Sequence, residues 1–351
     1  MNSSRKKVLW LSHLIPYPPT GGVLQRSHNL IKEVAKEHDV YLLSFVQGAM
    51  LKPFFPSKDE GVSVSKKELM RFCKDVVYVD IPCESSRLAK LWLIVSSFFS
   101  LLPYTIRWLE SEGMRSALSE WEGYDFDVVY MDTISLFPYK NLISSNSAVL
   151  NHHNIESDMM LTRAKKEKNI FKAAYFYLEG MKLAKYEKIN IPNVALNITC
   201  SLLDSQRLKK LNPDLCVEEV PNGVDLEFFE PNRRDVKEMS LIFAGGLSWY
   251  PNKDAMLIFA RDMWPKLKVL LPEVTMNVVG KHPPQELLEL ARVDPNFKVH
   301  GFVDDVKSYM NSAAVYVCPI RDGGGTKLKL LDALAMKIPI VANRISCEGI
   351  D

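Results

Sequence analysis

Residues 321 to 341 hold the densest set of groups able to do chemistry. Arg321 is followed by Gly323, Gly324 and Gly325, then by Thr326, Lys327, Lys329 and Asp332. A glycine-rich turn feeding a helix lets backbone N–H groups close on an anion, and the helix dipole favours the negative charge. A carboxylate two turns into the same helix, Asp332, could accept hydrogen bonds from ribose hydroxyls. The combination points to a nucleoside diphosphate that carries a cargo. An ordinary turn or helix cap is the other reading of the glycines taken alone.

Similar chemistry recurs at other strand ends. Gly21-Gly22 stands between a first strand and a first helix, where backbone could approach a phosphate. It is not a full Gly-x-Gly-x-x-Gly pattern, so a nicotinamide or flavin site is not supported. His152-His153-Asn154-Ile155-Glu156 follows an apolar strand. Either histidine could hydrogen-bond a sugar hydroxyl or a phosphate, and Glu156 could orient an acceptor hydroxyl. Ser157 and Asp158 could instead cap a helix there. A metal would need a third ligand that the spacing does not locate, and none is assigned. Gly245-Gly246 and then Lys253 follow another strand, with backbone able to face a diphosphate. Gly301-Phe302 ends a further one, with backbone able to meet a nucleobase edge.

The elements that must position these groups alternate. In the first half, strands are expected at 8–11, 40–45, 76–79, 127–131, 148–151, 194–200 and 217–220, with helical periodicity between them, notably over 157–189. A turn-rich stretch runs from Pro221 to Asn232. A second series places strands at 240–244, 274–279, 297–300, 314–318 and 338–342, with Ile338 to Val341 reading as a buried strand. Its helices are expected near 252–271, 285–292, 304–313 and 326–336. Such alternation argues for parallel sheets covered by helices on both faces. Ligands of such sheets bind outside the carboxyl ends of the strands, where all the groups above fall.

The chain has 351 residues, enough for two domains. A formal net charge of +2 does not argue for nucleic acid, and no such partner is expected. Two local features stand out. Residues 163–188 carry Arg163, Lys165, Lys166, Lys168, Lys172, Lys182, Lys185 and Lys188, which is either a solvated face or a site for anionic lipid or phosphate. Leu88 to Trp108 mixes Arg87, Lys90 and Arg107 with large apolar residues. The apolar run Leu91–Leu102 is too short to span a bilayer, and no signal peptide is evident. The six cysteines lack metal-like spacing. Cys200 and Cys318 read as buried thiols, and a reducing, cytoplasmic setting is expected.

With these residues in view, the chain resembles the retaining glycosyltransferases of family 4, which have the GT-B fold. The resemblance rests on Val220-Pro221-Asn222-Gly223-Val224-Asp225 with Phe229 and Pro231, Phe243-Ala244-Gly245, Val278-Val279-Gly280, and the 321–341 segment. Its Gly-Gly-Gly-Thr-Lys-Leu-Lys loop is similar to one branch of that family. The ribose-binding glutamate of the family falls on Asp332, and its partner eight positions earlier on Gly324. The diphosphate-binding arginine and lysine fall near Gly246 and Asn252, which are not basic. Lys253, Arg321, Lys327 and Lys329 are the candidate replacements. The family's first-domain histidine matches His152 or His153, and its diphosphate-contacting loop glycine matches Gly22.

The resemblance implies two Rossmann-like domains facing a cleft: an acceptor-side domain over 1–225, a linker over 226–238, and a nucleotide-sugar domain over 239–351. The family pattern continues past residue 341, so the second domain is expected to lack its last elements. The implied function is retaining, metal-independent transfer of a sugar from a nucleotide-diphosphate donor to a glycan or lipid-linked acceptor, without a cofactor. It would serve glycan or polysaccharide biosynthesis in the cytoplasm. Apart from the resemblance, the basic stretch 163–188 and the segment Leu88 to Trp108 could together dock peripherally on an anionic, cytoplasmic membrane face carrying a lipid-linked glycan, or be ordinary core and solvated surface. Two alternatives stay open: a non-catalytic nucleotide-sugar binder or partner subunit, and a sugar-nucleotide epimerase of the same architecture.

Overall fold

The computed structural model describes residues 5–321 and 326–350. The chain divides into two compact units between Val220 and Pro221. The stretch read as a linker belongs structurally to the second unit, because Phe229 is buried in that unit's core and Val224 packs against it.

In the first unit the strands are β1 (Lys7–Ser12), β2 (Asp39–Val46), β3 (Asp75–Asp80), β4 (Phe126–Met131), β5 (Ser145–His152), β6 (Leu196–Thr199) and β7 (Val217–Glu219). Among the described residues they form one sheet in the order β3-β2-β1-β4-β5-β6-β7, with every pairing parallel. Successive side chains of a strand face opposite ways, and the packing follows that rule. Leu9 and Leu11 join one core with Met114, Leu118 and Leu208. Val8 and Trp10 join another with Ile31 and Ala35. Helices therefore cover both faces, and the central strands read as near-continuous apolar runs.

The helical stretch expected over 157–189 forms as two helices. Glu156–Lys166 and Ile170–Asn190 are separated by a break at which Asn169 Oδ1 accepts from the N–H groups of Phe171 and Lys172, both at 3.1 Å. Neither Ser157 nor Asp158 caps the first of them. Glu187 does so from the second helix, accepting the Ser157 N–H at 3.1 Å and also the Ser157 hydroxyl.

The second unit contains β8 (Lys237–Ala244), β9 (Thr275–Val279), β10 (Phe297–Gly301), β11 (Ala313–Cys318) and β12 (Ile340–Ala342). Among the described residues their order is β10-β9-β8-β11-β12, again all parallel. The expected helix over 252–271 forms as Tyr250–Ile258 and Trp264–Leu270, joined by a π-helical turn. Asp305 caps Val306–Ser312, accepting from the N–H groups of Lys307 and Ser308, so it marks a helix start. The strand expected over 338–342 is not fully buried. β12 lies at the sheet edge and Val341 is 63% exposed, because a strand's burial depends on what lies beside it as well as on its own residues. Cys200 and Cys318 are buried free thiols, as expected.

Candidate functional site

In the second unit the carboxyl ends of β8, β9 and β10 are stitched together through backbone. The Gly245 N–H donates to Val279 O at 2.9 Å, the Gly280 N–H to Gly301 O at 2.7 Å, and the Leu247 N–H to Lys281 O at 2.9 Å. Gly280 has no alternative at its position. A Cβ built there would lie 2.0 Å from Gly245 O, inside any permitted contact. Gly246 is different, since open space surrounds the place a Cβ would take. A Cβ on Gly245 would meet Lys329 Nζ at 2.7 Å.

Lys329 is the centre of this region. It stands on the helix Leu328–Ala335, and its amine donates to Asn252 Oδ1 at 2.6 Å. Asn252 Nδ2 in turn donates to Gly246 O at 2.8 Å. The amine also sits 4.9 Å from the centre of the Phe243 ring. Burial disfavours its charge and pushes its pKa down to about 8, partly opposed by Asp332 one turn along the helix. Asp332 is half-buried.

The other candidate cations are held differently. Lys253 is exposed on the helix Tyr250–Ile258. Arg321 pairs with Asp254 at 3.5 Å, and Lys327 precedes Leu328–Ala335 at its N-cap position. Thr326 Oγ1 lies 3.4 Å from Gly349 O. Phe302 is half-exposed with Lys281 Nζ 4.4 Å from its ring centre, next to Gly301 at a φ of 69°. Gly324 and Gly325 lie outside the described residues.

In the first unit the two histidines at the end of β5 separate. His152 turns toward β6, is 3% exposed, and donates from Nε2 to Asn197 Oδ1 at 3.0 Å. Burial pushes its pKa down to about 4. It is a neutral core histidine, which corrects the expectation that it is offered at the strand end. His153 turns the other way and donates from Nε2 to Asp132 Oδ1 at 3.1 Å. Burial opposes its charge, yet Asp132 outweighs that effect and holds His153 up at about 9. Burial likewise opposes the Asp132 carboxylate, but His153, His13 and the Ser27 hydroxyl at 2.8 Å bring it down to about 2. Glu156 accepts from Thr133 Oγ1 at 2.6 Å, and burial pushes its carboxyl up. Gly22 opens the helix Gly22–Glu37. Gly21 before it has a φ of 90°, a conformation that only glycine adopts freely.

Asp132 and His13 were missed in the sequence. Both follow strands, β4 and β1, at their carboxyl ends, and that position was the available signal. His13 Nδ1 lies 3.8 Å from Asp132 Oδ2. The cluster holds a cationic imidazole against a buried carboxylate.

Residues 238–351 match the family described as glycosyl transferases group 1. The sucrose-phosphate synthase of Thermosynechococcus elongatus aligns over 98% of this chain and 82% of its own, with a TM-score of 0.63 and 13% identity. The fold is that of the GT-B glycosyltransferases. A second protein of that fold, HepE of Anabaena in complex with UDP-glucose, aligns over 97% of this chain and 81% of its own, with a TM-score of 0.59 and 14% identity. A Klebsiella pneumoniae protein described as an uncharacterized 44.6 kDa protein in the cps region is 22% identical, over 98% of this chain and 84% of its own. Within the GT-B frame, the loops around Gly245, Gly280 and Gly301 stand at the strand ends where open parallel sheets take their ligands. The family match covers residues 238–351, and the likeness to the solved structures shows the fold.

Proposed function

We propose that this protein transfers a sugar, with retention at the anomeric carbon, from a nucleoside-diphosphate sugar to an acceptor hydroxyl during glycan or polysaccharide synthesis. The observation that carries the reading is the Lys329 amine at Asn252 and Gly245, with Asp332 one turn further on the same helix. Lys329 and Lys327 stabilise the leaving diphosphate and take the part a metal ion would otherwise play. Asp332 accepts from the ribose hydroxyls. A well-placed donor of this kind supplies about 3 kcal/mol when charge develops on the leaving group. On the acceptor side, His153 and Glu156 orient the sugar and the incoming hydroxyl. A uridine nucleotide is the first donor to try, because the Anabaena protein of the same fold is described with UDP-glucose. The Klebsiella relative's cps region supports a polysaccharide setting.

The test is a thermal-shift series with uridine, guanosine, thymidine and adenosine diphosphates, followed by turnover with their sugar conjugates. A ligand that binds only the folded form raises the melting temperature by mass action. The expected result is a shift by one nucleotide, lost in Asp332→Ala, and release of that nucleoside diphosphate when an acceptor is present. Binding without release under any acceptor would favour a non-catalytic binder. Conversion of the donor sugar without release would favour an epimerase.

A further inference from the structure

The helix Arg87–Phe99 touches its own domain along one narrow stripe. Only Leu93 and Ser97, four residues apart, are buried. Its other large side chains face outward: Trp92 is 71% exposed and Phe99 83%, with Leu88, Leu91 and Phe98 also exposed, and Leu101 just after the helix reaches 90%. A soluble surface rarely leaves so much apolar area together without a binding role.

The charges within this helix have one sign. No carboxylate occurs between Glu84 and Glu110. Arg107 is turned inward, donating to Ser96 Oγ at 3.0 Å and Ser97 Oγ at 3.3 Å, so Arg87 and Lys90 are the exposed charges of the helix. A second element repeats the composition. Ile170 and Phe171, at the start of Ile170–Asn190, are exposed and flanked by exposed Lys168 and Lys172. The two helices are neighbours. Lys182 Nζ donates to Ser97 O at 2.7 Å, and Glu179 Oε2 accepts the Tyr104 N–H at 2.7 Å.

We propose that this face docks on an anionic lipid bilayer, with the Arg87–Phe99 helix lying in the interface. Its aromatic and aliphatic side chains enter the headgroup boundary, while Arg87, Lys90, Lys168 and Lys172 meet anionic head groups. The sign of the charge selects this occupant. A second copy of the chain, packed symmetrically, would bring the same cations against each other. The helix has 13 residues, about 20 Å, which suits lying on a bilayer. No helix among the described residues is long and apolar enough to cross one.

The test is co-sedimentation of the whole chain with vesicles of phosphatidylglycerol and phosphatidylcholine, against vesicles of phosphatidylcholine alone. It reads no turnover, so its failure is distinct from failure of the transferase reading. The expected result is binding to the anionic vesicles that weakens with added salt, with a blue shift of tryptophan emission that Trp92→Phe removes. Phe98→Ser with Phe99→Ser, and separately Arg87→Glu with Lys90→Glu, should each lower partitioning about tenfold or more. All four side chains are exposed, so circular dichroism and melting temperature should stay as in the unmodified chain. Absence of binding, equal binding to both vesicles, or binding untouched by either double variant would overturn the proposal. Self-association abolished by the Phe98 and Phe99 changes, without vesicle binding, would assign the face to a second copy instead.

Discussion

Lys329 Nζ lies 2.6 Å from Asn252 Oδ1, which puts a lysine of one helix against the residue of another helix where the family resemblance expects a lysine. The positive charge is present, but a different element supplies it. It makes Lys329 the candidate replacement for a basic residue at Asn252, and that can be tested directly.

Lys329→Met should weaken binding of a nucleoside diphosphate by about tenfold to a hundredfold, the range for loss of one charged hydrogen bond. The fold should tolerate the change, because a buried amine whose pKa has fallen to about 8 is already costly to keep charged. Calorimetric titration with UDP, together with a melting curve, would measure both. Unchanged affinity in a folded variant would remove Lys329 from the site.

The same amine predicts a pH dependence. In the free protein its pKa is lowered to about 8, and a bound diphosphate would raise it. Below about pH 8 the lysine is already charged and binding takes up no proton there. Above about pH 8 binding must add a proton, so affinity falls by up to about tenfold per pH unit until the raised pKa is passed. Titrations at several pH values, in buffers of different ionisation enthalpy, would show the uptake. The dependence should vanish in Lys329→Met.

Asp132 and His153 should behave as one charged pair. His153 is raised to about 9, so its contribution is complete below its unfolded value of 6.5 and disappears as pH rises through 9. Asp132 is lowered to about 2, so its contribution is complete above 3.8 and disappears as pH falls through 2. His13 and His152, held neutral with pKa values near 4, make stability fall as pH drops from 6.5 toward 4. The first domain should therefore be most stable near about pH 6.5, losing stability toward pH 9 as His153 gives up its proton and toward pH 4 as His13 and His152 gain theirs. In Asp132→Asn, histidine NMR should show His153 titrating below 7. The stability cost near neutrality should stay at about 2–3 kcal/mol, because His153 can shed its proton.

Gly280 and Gly246 form a contrasting pair. Gly280→Ala would place a methyl group 2.0 Å from Gly245 O and force the strand-end loops apart. It should destabilise the second domain by more than about 2 kcal/mol and impair nucleotide binding. Gly246→Ala enters open space and should change stability by less than about 0.5 kcal/mol. Its effect on nucleotide binding tests whether backbone at Gly246 faces a diphosphate: a large loss would mean that the ligand approaches there. Denaturant unfolding followed by circular dichroism would compare them.

Much of this architecture was legible in the residues. Val8 to Leu11, Val40 to Phe45 and Asp127 to Met131 read as strands and are strands, since short apolar runs between helical periods have few other ways to be buried. The break near Asn169 was missed, because helical periodicity continues across it and the second helix buries its stripe against the first. The exposed edge at Val341 was missed for a related reason: an apolar residue does not carry the identity of its neighbour.

By itself, the sequence determined the alternation of strands and helices, the glycines and cations clustered at strand ends, and the resemblance that links them to glycosyl transfer. These are local properties, set by turn chemistry and by the periods of helix and strand. Tertiary structure decided which groups act together. His152 and His153 are adjacent, but Asn197 on β6 takes one and Asp132 beyond β4 takes the other. Lys329 meets Asn252 across 77 positions. Such pairs depend on strand order and on which helix packs beside which, and those follow from burying the whole chain at once.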